Sequence, residues 1–456
     1  MKIVVAGASG YIGKALIPQL LERFPEASIT ALSRTAQPNS EPRIQWRACD
    51  LFSLKDLEQA LPDEVDVAYY LVHSMGPTAQ LDQGSFADYD LILADNFARA
   101  LSKTQVRHLI YLGGLIPEQA ELSLHLQSRK EVEEVFQEHQ LPLTIFRAGL
   151  IMGEEGSSFQ ILLKLVKRLP IMICPAWTQT LTTPVGLGTV IRALSLVAGE
   201  VEHRGQIYDL SGCRPLTYVE MMRQTAQFLG KKSLFFTLPF FTPTLSRLWV
   251  SLVTNSPKGL VYPLIESLEH SMVARKDRLF LAEGANRDYQ ELLKEISLKV
   301  QPGRKLFQFR PQRKTVRSIQ RLPLPKDRDA EWIKTRYIVW LPRYFAPFIK
   351  VKVDEGEGRV LFAFVSVRWP LLELKLSPER SQPDRQLLYI KRGALVAKDN
   401  KGRLEFRVVL GRRYVLAAIH DYRPSLPWFI YKYTQAQLHA LVMRAFSRHL
   451  DGRTSH

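Results

Sequence analysis

Cysteine is scarce: only Cys49, Cys174 and Cys213 occur among 456 residues, and no two form a CxxC pair. A disulfide framework and a zinc ribbon are thereby excluded, and the odd count suits a reducing compartment. The ten histidines supply neither HExxH nor a His-x-x-x-His ladder, so a metal site has no ligand set to build on. No GxSxG elbow is present to carry a nucleophilic serine. Long apolar runs are missing as well. The nearest to a membrane span, 234–253, is broken by Pro239, Pro243 and Arg247, whereas crossing a bilayer takes ~20 mostly apolar residues. That stretch is expected to be buried or interfacial. The opening Met1-Lys2-Ile3-Val4-Val5-Ala6 leads straight into glycines and does not read as an export signal.

What the chain does contain is an ordinary globular mixture, 46% hydrophobic and 23% charged, long enough for two or three domains. The charge is lopsided. Residues 1–300 hold 30 Lys and Arg against 32 Asp and Glu, a net of −2, while 301–456 hold 32 against 13, a net of +19. Separate domains follow, with an anionic partner or a solvated basic face at the C-terminal end.

Over the first 150 residues, short apolar runs alternate with stretches of helical spacing. The runs are Lys2 to Ala6, Ser28 to Leu32, Val65 to Val72, His108 to Leu112 and Leu143 to Arg147. Strands separated by helices predict βαβ units and a parallel sheet. From 153 to 300 the pattern is mainly helical, with short strands near 182–185 and 206–210. Residues 306–325, basic and proline-containing, read as a linker. Beyond it, six strand candidates predict an antiparallel meander: 349–353, 360–366, 371–376, 386–391, 403–410 and 413–422. A helix at 435–450 closes it.

The motif that carries chemistry is Gly7-Ala8-Ser9-Gly10-Tyr11-Ile12-Gly13, directly after the first strand and opening a helix. Gly7 allows the turn, Gly10 lets backbone approach a pyrophosphate, and Gly13 lets helix and strand pack closely, with the helix N-terminus offering N–H groups to the anion. Ser9, Tyr11 and Ile12 line the same turn. The second strand ends in Ser33-Arg34 with no carboxylate for a ribose 2'-hydroxyl. This favours NADP(H), Arg34 pairing the 2'-phosphate, over NAD(H). After the third strand, Asp50 and Leu51 are placed at the adenine edge, although Asp50 could equally cap the next helix. Past the fourth, Val72, His73 and Ser74 are expected beside the nicotinamide ribose.

With Gly7 to Gly13, Ala48 to Leu51, Tyr70 to Gly76, Asn96 and Arg147 to Gly153, joined by Thr182 to Val185 and Ile207 to Gly212, the first 300 residues resemble the atypical short-chain dehydrogenase/reductase superfamily. Its NmrA-like members, the NADPH-binding accessory subunit of respiratory complex I, and bacterial oxidoreductases with a long C-terminal extension are the nearest in pattern. The tail, with Pro427-Trp428-Phe429 before its last helix, resembles START or Bet v1-like helix-grip domains, whose cavity holds lipids or other apolar ligands. The resemblance implies an α/β Rossmann doubly wound sheet in 1–305, with a substrate-side subdomain at about 153–300, followed by an α+β helix-grip domain in 326–456.

Catalytic members of that superfamily place a serine after the fifth strand and Tyr-x-x-x-Lys on the next helix. Here the corresponding residues are Gly113-Gly114 and His125-Leu126-Gln127-Ser128-Arg129. His125 is the candidate acid and Arg129 the candidate ribose ligand. Arg147 either faces the substrate cleft or, preferably, pairs with a local carboxylate. The run Tyr337 to Lys350 mixes aromatics and cations as a membrane interface does, or packs a core. Two functions follow. One is an NADP(H)-dependent oxidoreductase for an apolar carbonyl or quinone-like compound; the other is a non-catalytic NAD(P)H-binding sensor or assembly protein. A small apolar substrate or lipid is expected in the C-terminal cavity. The chain is expected in the cytoplasm, peripheral at an anionic inner membrane face, and nucleic acid ranks last among partners because no binding motif accompanies the charge.

Overall fold

The computed structural model describes residues 1–35, 37–38, 41–73, 81–117, 122–238, 243–256, 258–281, 287–296, 315–365 and 370–452. The chain divides into two compact units, Met1–Met75 with Asp90–Gln308, and Gly76–Tyr89 with Phe309–His456.

The first unit is built on seven strands, β1 (Lys2–Ala6), β2 (Ser28–Ser33), β3 (Ile44–Ala48), β4 (Val67–Tyr70), β5 (Leu109–Gly114), β6 (Leu143–Ala148) and β7 (Ile207–Leu210). They lie in the order β7-β6-β5-β4-β1-β2-β3, every neighbouring pair parallel. The order reverses between β1 and β4. A crevice at the carboxyl ends of the strands is expected there. Their continuous apolar runs suit a sheet covered on both faces; Ile3, Val5, Ile29, Val67 and Ile110 are all buried.

Helix α1 (Tyr11–Arg23) follows β1 at once and buries Leu16, Ile17 and Leu20. Helix α2 (Phe86–Leu101) has Ala94, Phe97 and Ala98 on its buried side. Helix α3 (Leu124–Glu138) starts at Ser123, whose side chain accepts the Leu126 N–H. A second apolar core joins α4 (Ser157–Arg168) to α5 (Tyr218–Phe228) through Phe159, Leu163, Met221 and Met222.

The second unit is an antiparallel sheet. Strands β8 (Val316–Pro323), β9 (Ile349–Asp354), β10 (Arg359–Phe364), β11 (Pro370–Leu376), β12 (Arg385–Arg392), β13 (Arg403–Val409) and β14 (Tyr414–Tyr422) run in the order β9-β10-β11-β12-β13-β14-β8, and the short strand Leu81–Gln83 adds to β8 in parallel. Helices α6 (Ala330–Tyr344) and α7 (Gln435–Asp451) share one core with this sheet, in which Tyr337 packs on Phe406 and Phe446 at ring distances of 5.6 and 5.1 Å.

One expectation changes. The span read as a linker, 306–325, contains β8: Val316, Ile319 and Leu322 are buried, and a register shift between Val316 and Ser318 breaks the strict alternation that marks a strand. Of the run Tyr337 to Lys350, read as either an interface or core packing, Tyr337 and Trp340 belong to the core while Tyr344 and Phe348 are exposed.

The opposite face of β13 is ionic. Alternation places Leu404, Phe406 and Val408 in the core and Arg403, Glu405 and Arg407 on the other side. Glu405 accepts from Arg385 Nε at 2.6 Å and Arg407 Nε at 2.7 Å. Burial pushes its carboxyl up, and the two arginines outweigh that and hold it well below the ordinary carboxylate range. Part of the C-terminal basic excess is therefore paired inside the unit. Among the described residues no helix is long and apolar enough to cross a membrane.

Candidate functional site

The turn after β1 is held by its own backbone. Gly10 N–H donates to the Gly7 carbonyl at 2.9 Å, and α1 begins with no side-chain cap and no acid in its first turn. The first-turn N–H groups are therefore available to an anion. Gly7 has φ +87°, and a Cβ there would sit 2.9 Å from the Leu71 carbonyl oxygen. At Gly13 a Cβ would meet the Gly7 oxygen at 2.5 Å, so the turn closes only without side chains. Tyr11 lies against another pair of glycines: a Cβ on Gly153 would fall 1.7 Å from its hydroxyl, and burial pushes that hydroxyl up to about 12.

This turn forms one end of a cavity of about 500 Å³. Of the residues singled out from sequence, Gly7, Gly10, Tyr11, Ile12, Gly13, His73, His125 and Arg129 line it together. Gly113 and Gly114 line it too, where a serine would stand in a catalytic relative. The far wall is apolar, with Leu162, Trp177, Met222, Val250, Ile265 and Met272. Ser9, Ser33, Arg34, Asp50, Leu51 and Val72 do not line this cavity, and Ser74 is outside the described residues.

Ser33, Arg34, Asp50 and Leu51 nevertheless sit at the carboxyl ends of β2 and β3, beside β1 in the sheet. Arg34 is exposed and makes no ion pair among the described residues. Asp50 accepts the Phe52 N–H at 3.2 Å, whereas the helix Leu54–Ala60 is capped by Ser53, so the capping alternative for Asp50 is replaced by a local turn. The Asn96 side chain donates to the Leu51 carbonyl at 2.8 Å, fixing that loop.

His73 Nδ1 lies 2.8 Å from Asp90 Oδ2, the oxygen to which the Ser128 hydroxyl also donates at 3.2 Å. The His125 ring is 5.1 Å from that of His73. Burial holds both imidazoles below their ordinary pKa, with the Arg129 charge adding to the effect and Asp90 opposing it. Both are therefore neutral at neutral pH. Arg147 is bound by both oxygens of Glu133, at 2.9 and 2.6 Å, which settles it as a structural pair. Asp90 was not foreseen: it stands 17 positions from His73 with no motif between them, and only the packing of α2 brings it there.

Comparison with known proteins agrees with this geometry. Residues 7–167 match a family model described as NAD(P)H-binding. The first unit carries a Rossmann-like parallel sheet, and this stretch of it is similar to NAD(P)H-binding proteins. A triphenylmethane reductase from Citrobacter sp. is similar in structure with a TM-score of 0.51 at 17% identity, covering 65% of this chain and 99% of that one, and it has also been solved complexed with NADP(H). An NADPH-dependent quinone oxidoreductase from Escherichia coli, solved with NADPH, gives a TM-score of 0.51 at 19% identity over 65% of this chain and 99% of that one. At such identities the likeness establishes the fold alone. The auxiliary protein GraX of Staphylococcus aureus (strain NCTC 8325 / PS 47) is 32% identical over 115 residues, 25% of this chain and 36% of that protein; the chain thus spans only about a third of this curated relative.

Proposed function

We propose that the protein is an NADP(H)-dependent oxidoreductase acting on an apolar carbonyl or quinone-like compound. The observation that carries this reading is the single cavity that joins the side-chain-free turn of Gly7 to Gly13 to an apolar wall, with His73, His125 and Arg129 between them. The turn fits a dinucleotide: its amides would hold the pyrophosphate, Arg34 a 2'-phosphate, and Asp50 with the Leu51 loop the adenine edge. A bound nicotinamide would supply hydride chemistry. The chain's own residues do the rest. Arg129 keeps its charge and orients ribose hydroxyls, the leucines and Trp177 exclude water, and the two imidazoles are the groups able to hold or move a proton. The sequence pattern assigns that role to His125.

For the second unit, the antiparallel sheet with its long last helix supports a helix-grip reading, with the linker shortened to end before Val316. Its core contains Tyr337, Trp340, Phe406 and Phe446, and a small apolar substrate or lipid held by this unit is part of the proposal, as is one in the first unit's cavity. Phe429 and Tyr433, about 70% exposed beside Lys432, support peripheral contact with an anionic bilayer. Incubation of the full chain with NADPH or NADH and menadione tests the central claim. Coenzyme oxidation faster with NADPH, abolished by Gly13→Ala and losing its NADPH preference in Arg34→Ala, is the expected result. Tight NADPH binding with no turnover of any quinone or carbonyl in a broad panel would instead make the protein a sensor.

A further inference from the structure

Among the buried polar atoms on the cavity's lining residues that lack a hydrogen-bond partner is Nε2 of His73. Its Nδ1 faces Asp90 Oδ2 at 2.8 Å, and in a neutral imidazole the single proton belongs on the nitrogen that meets a carboxylate. Nε2 is then a bare acceptor. It is buried and has no hydrogen-bond partner among the described residues, while His73 lines the cavity. A buried acceptor left without a donor carries its full desolvation penalty, so a ligand that brings a donor to it recovers that loss.

We propose that His73, oriented by Asp90, is the proton acceptor of this site and that the cavity's ligand is an apolar molecule bearing a hydroxyl. This deepens the oxidoreductase reading and rests on it. In the step, the ligand's O–H bond breaks and an Nε2–H bond forms. The bonding pair stays on the ligand oxygen, and the positive charge appears on an imidazolium whose Nδ1–H already meets Asp90. In the opposite direction the imidazolium returns the proton to the oxygen. The arrangement resembles the His–Asp half of a catalytic triad, in which the carboxylate fixes the tautomer and steadies the charge that forms.

The surroundings fit this role. Asp90 Oδ2 accepts from Ser128 as well as facing His73, which fixes the carboxylate's direction. From α3, Arg129 and His125 also face the ring; burial first and then the Arg129 charge discourage a resting imidazolium, while His125 lies beside it at a ring distance of 5.1 Å. Tyr70 and Tyr111 near Asp90 stay protonated through burial. His73 therefore rests as a base, charging only when a proton is delivered to it. Burial first, then a charge on His73, hold the His125 imidazole down as well.

Two measurements on the full-length chain test this. Imidazole nitrogen NMR of labelled protein at pH 7 should show His73 neutral with its proton on Nδ1, and Asp90→Asn should shift the proton toward Nε2. Calorimetry with 2-naphthol and 2-methoxynaphthalene as probes, with and without NADP, should show the naphthol bound about tenfold more tightly, the size of one hydrogen bond to a buried acceptor. His73→Leu should equalise the two. An Nε2–H tautomer or imidazolium in the wild type, equal affinities for the two probes, or a preference surviving His73→Leu would each overturn the proposal. Should His73→Leu not fold, the Asp90→Asn spectrum and the wild-type probe ratio decide. Failure to bind either coenzyme, with the naphthol preference intact, refutes the dinucleotide reading instead.

Discussion

Replacing Gly153 by alanine probes the coenzyme turn from outside it. The added Cβ would lie 1.7 Å from the Tyr11 hydroxyl and 3.0 Å from its Cζ, with Leu187 Cβ at 3.5 Å behind. Non-bonded carbon contacts settle at about 3.5–4 Å, so the ring or the 151–156 segment must shift by well over an ångström. Overpacking of this kind costs about 1–3 kcal/mol. Tyr11 is the first residue of α1, so a displacement that its ring passes to the backbone moves the amides that would meet the pyrophosphate. If the whole cost appears in binding, NADPH affinity falls about five- to 150-fold. Tyr11→Phe removes the atom at 1.7 Å and leaves only the 3.0 Å contact, so the double variant should recover most of the loss. The assay is NADPH calorimetry together with thermal melting of the wild type, both single variants and the double variant, read as a coupling energy. Gly153→Ala binding NADPH like the wild type, or a double variant no better than Gly153→Ala alone, would refute the reasoning.

Other outcomes follow from the same geometry. Glu405, held below its ordinary value of 4.5 by Arg385 and Arg407, stabilises its unit fully above that value and loses this as pH falls through the lower folded pKa; urea melts from pH 6 to 3 should show the fall, and Glu405→Gln should flatten it while lowering stability at pH 7 by about 3–5 kcal/mol. Burial pushes His108 down to about 4, so the unfolded chain takes up a proton first as pH drops below 6.5; His108→Gln, keeping a partner for Thr144, should remove up to about 3 kcal/mol of acid sensitivity between pH 6.5 and 4. Arg147→Met, which strands Glu133 in the interior, should lower the melting temperature by several degrees and leave NADPH affinity unchanged, contrary to a role in the cleft. Gly114→Ser should be tolerated, the nearest atom to its Cβ being Arg129 Cγ at 3.8 Å, while Gly113→Ser meets the Tyr111 ring at 3.0 Å and should destabilise by about 1–3 kcal/mol on denaturant melts.

Much of this architecture was readable in advance because period and punctuation agree. The apolar runs of β1, β2, β5 and β6 are bounded by turns and helical spacing, and the six strands from β9 to β14 fall within a few residues of their expected positions. The glycine turn was legible because each glycine answers a separate steric need. What escaped notice lacked local signal. β8 carries a bulge and ends on Pro323, so its apolar residues recur every three positions. The strand Leu81–Gln83 is too short to show alternation. Asp90, and the apolar wall drawn from helices scattered between 157 and 268, become a site only through tertiary packing, which no spacing along the chain announces.

The strand Leu81–Gln83 has a consequence for how this molecule can be made. Gln320 donates to the Gln83 carbonyl at 3.4 Å across 237 positions of chain. On a ribosome, the early segment must wait for most of the polypeptide before its sheet neighbour exists. No single break in the gene releases both units whole, so a fragment starting near residue 306 would lack its edge strand, and shuffling the tail onto another protein would require carrying a piece of the front with it.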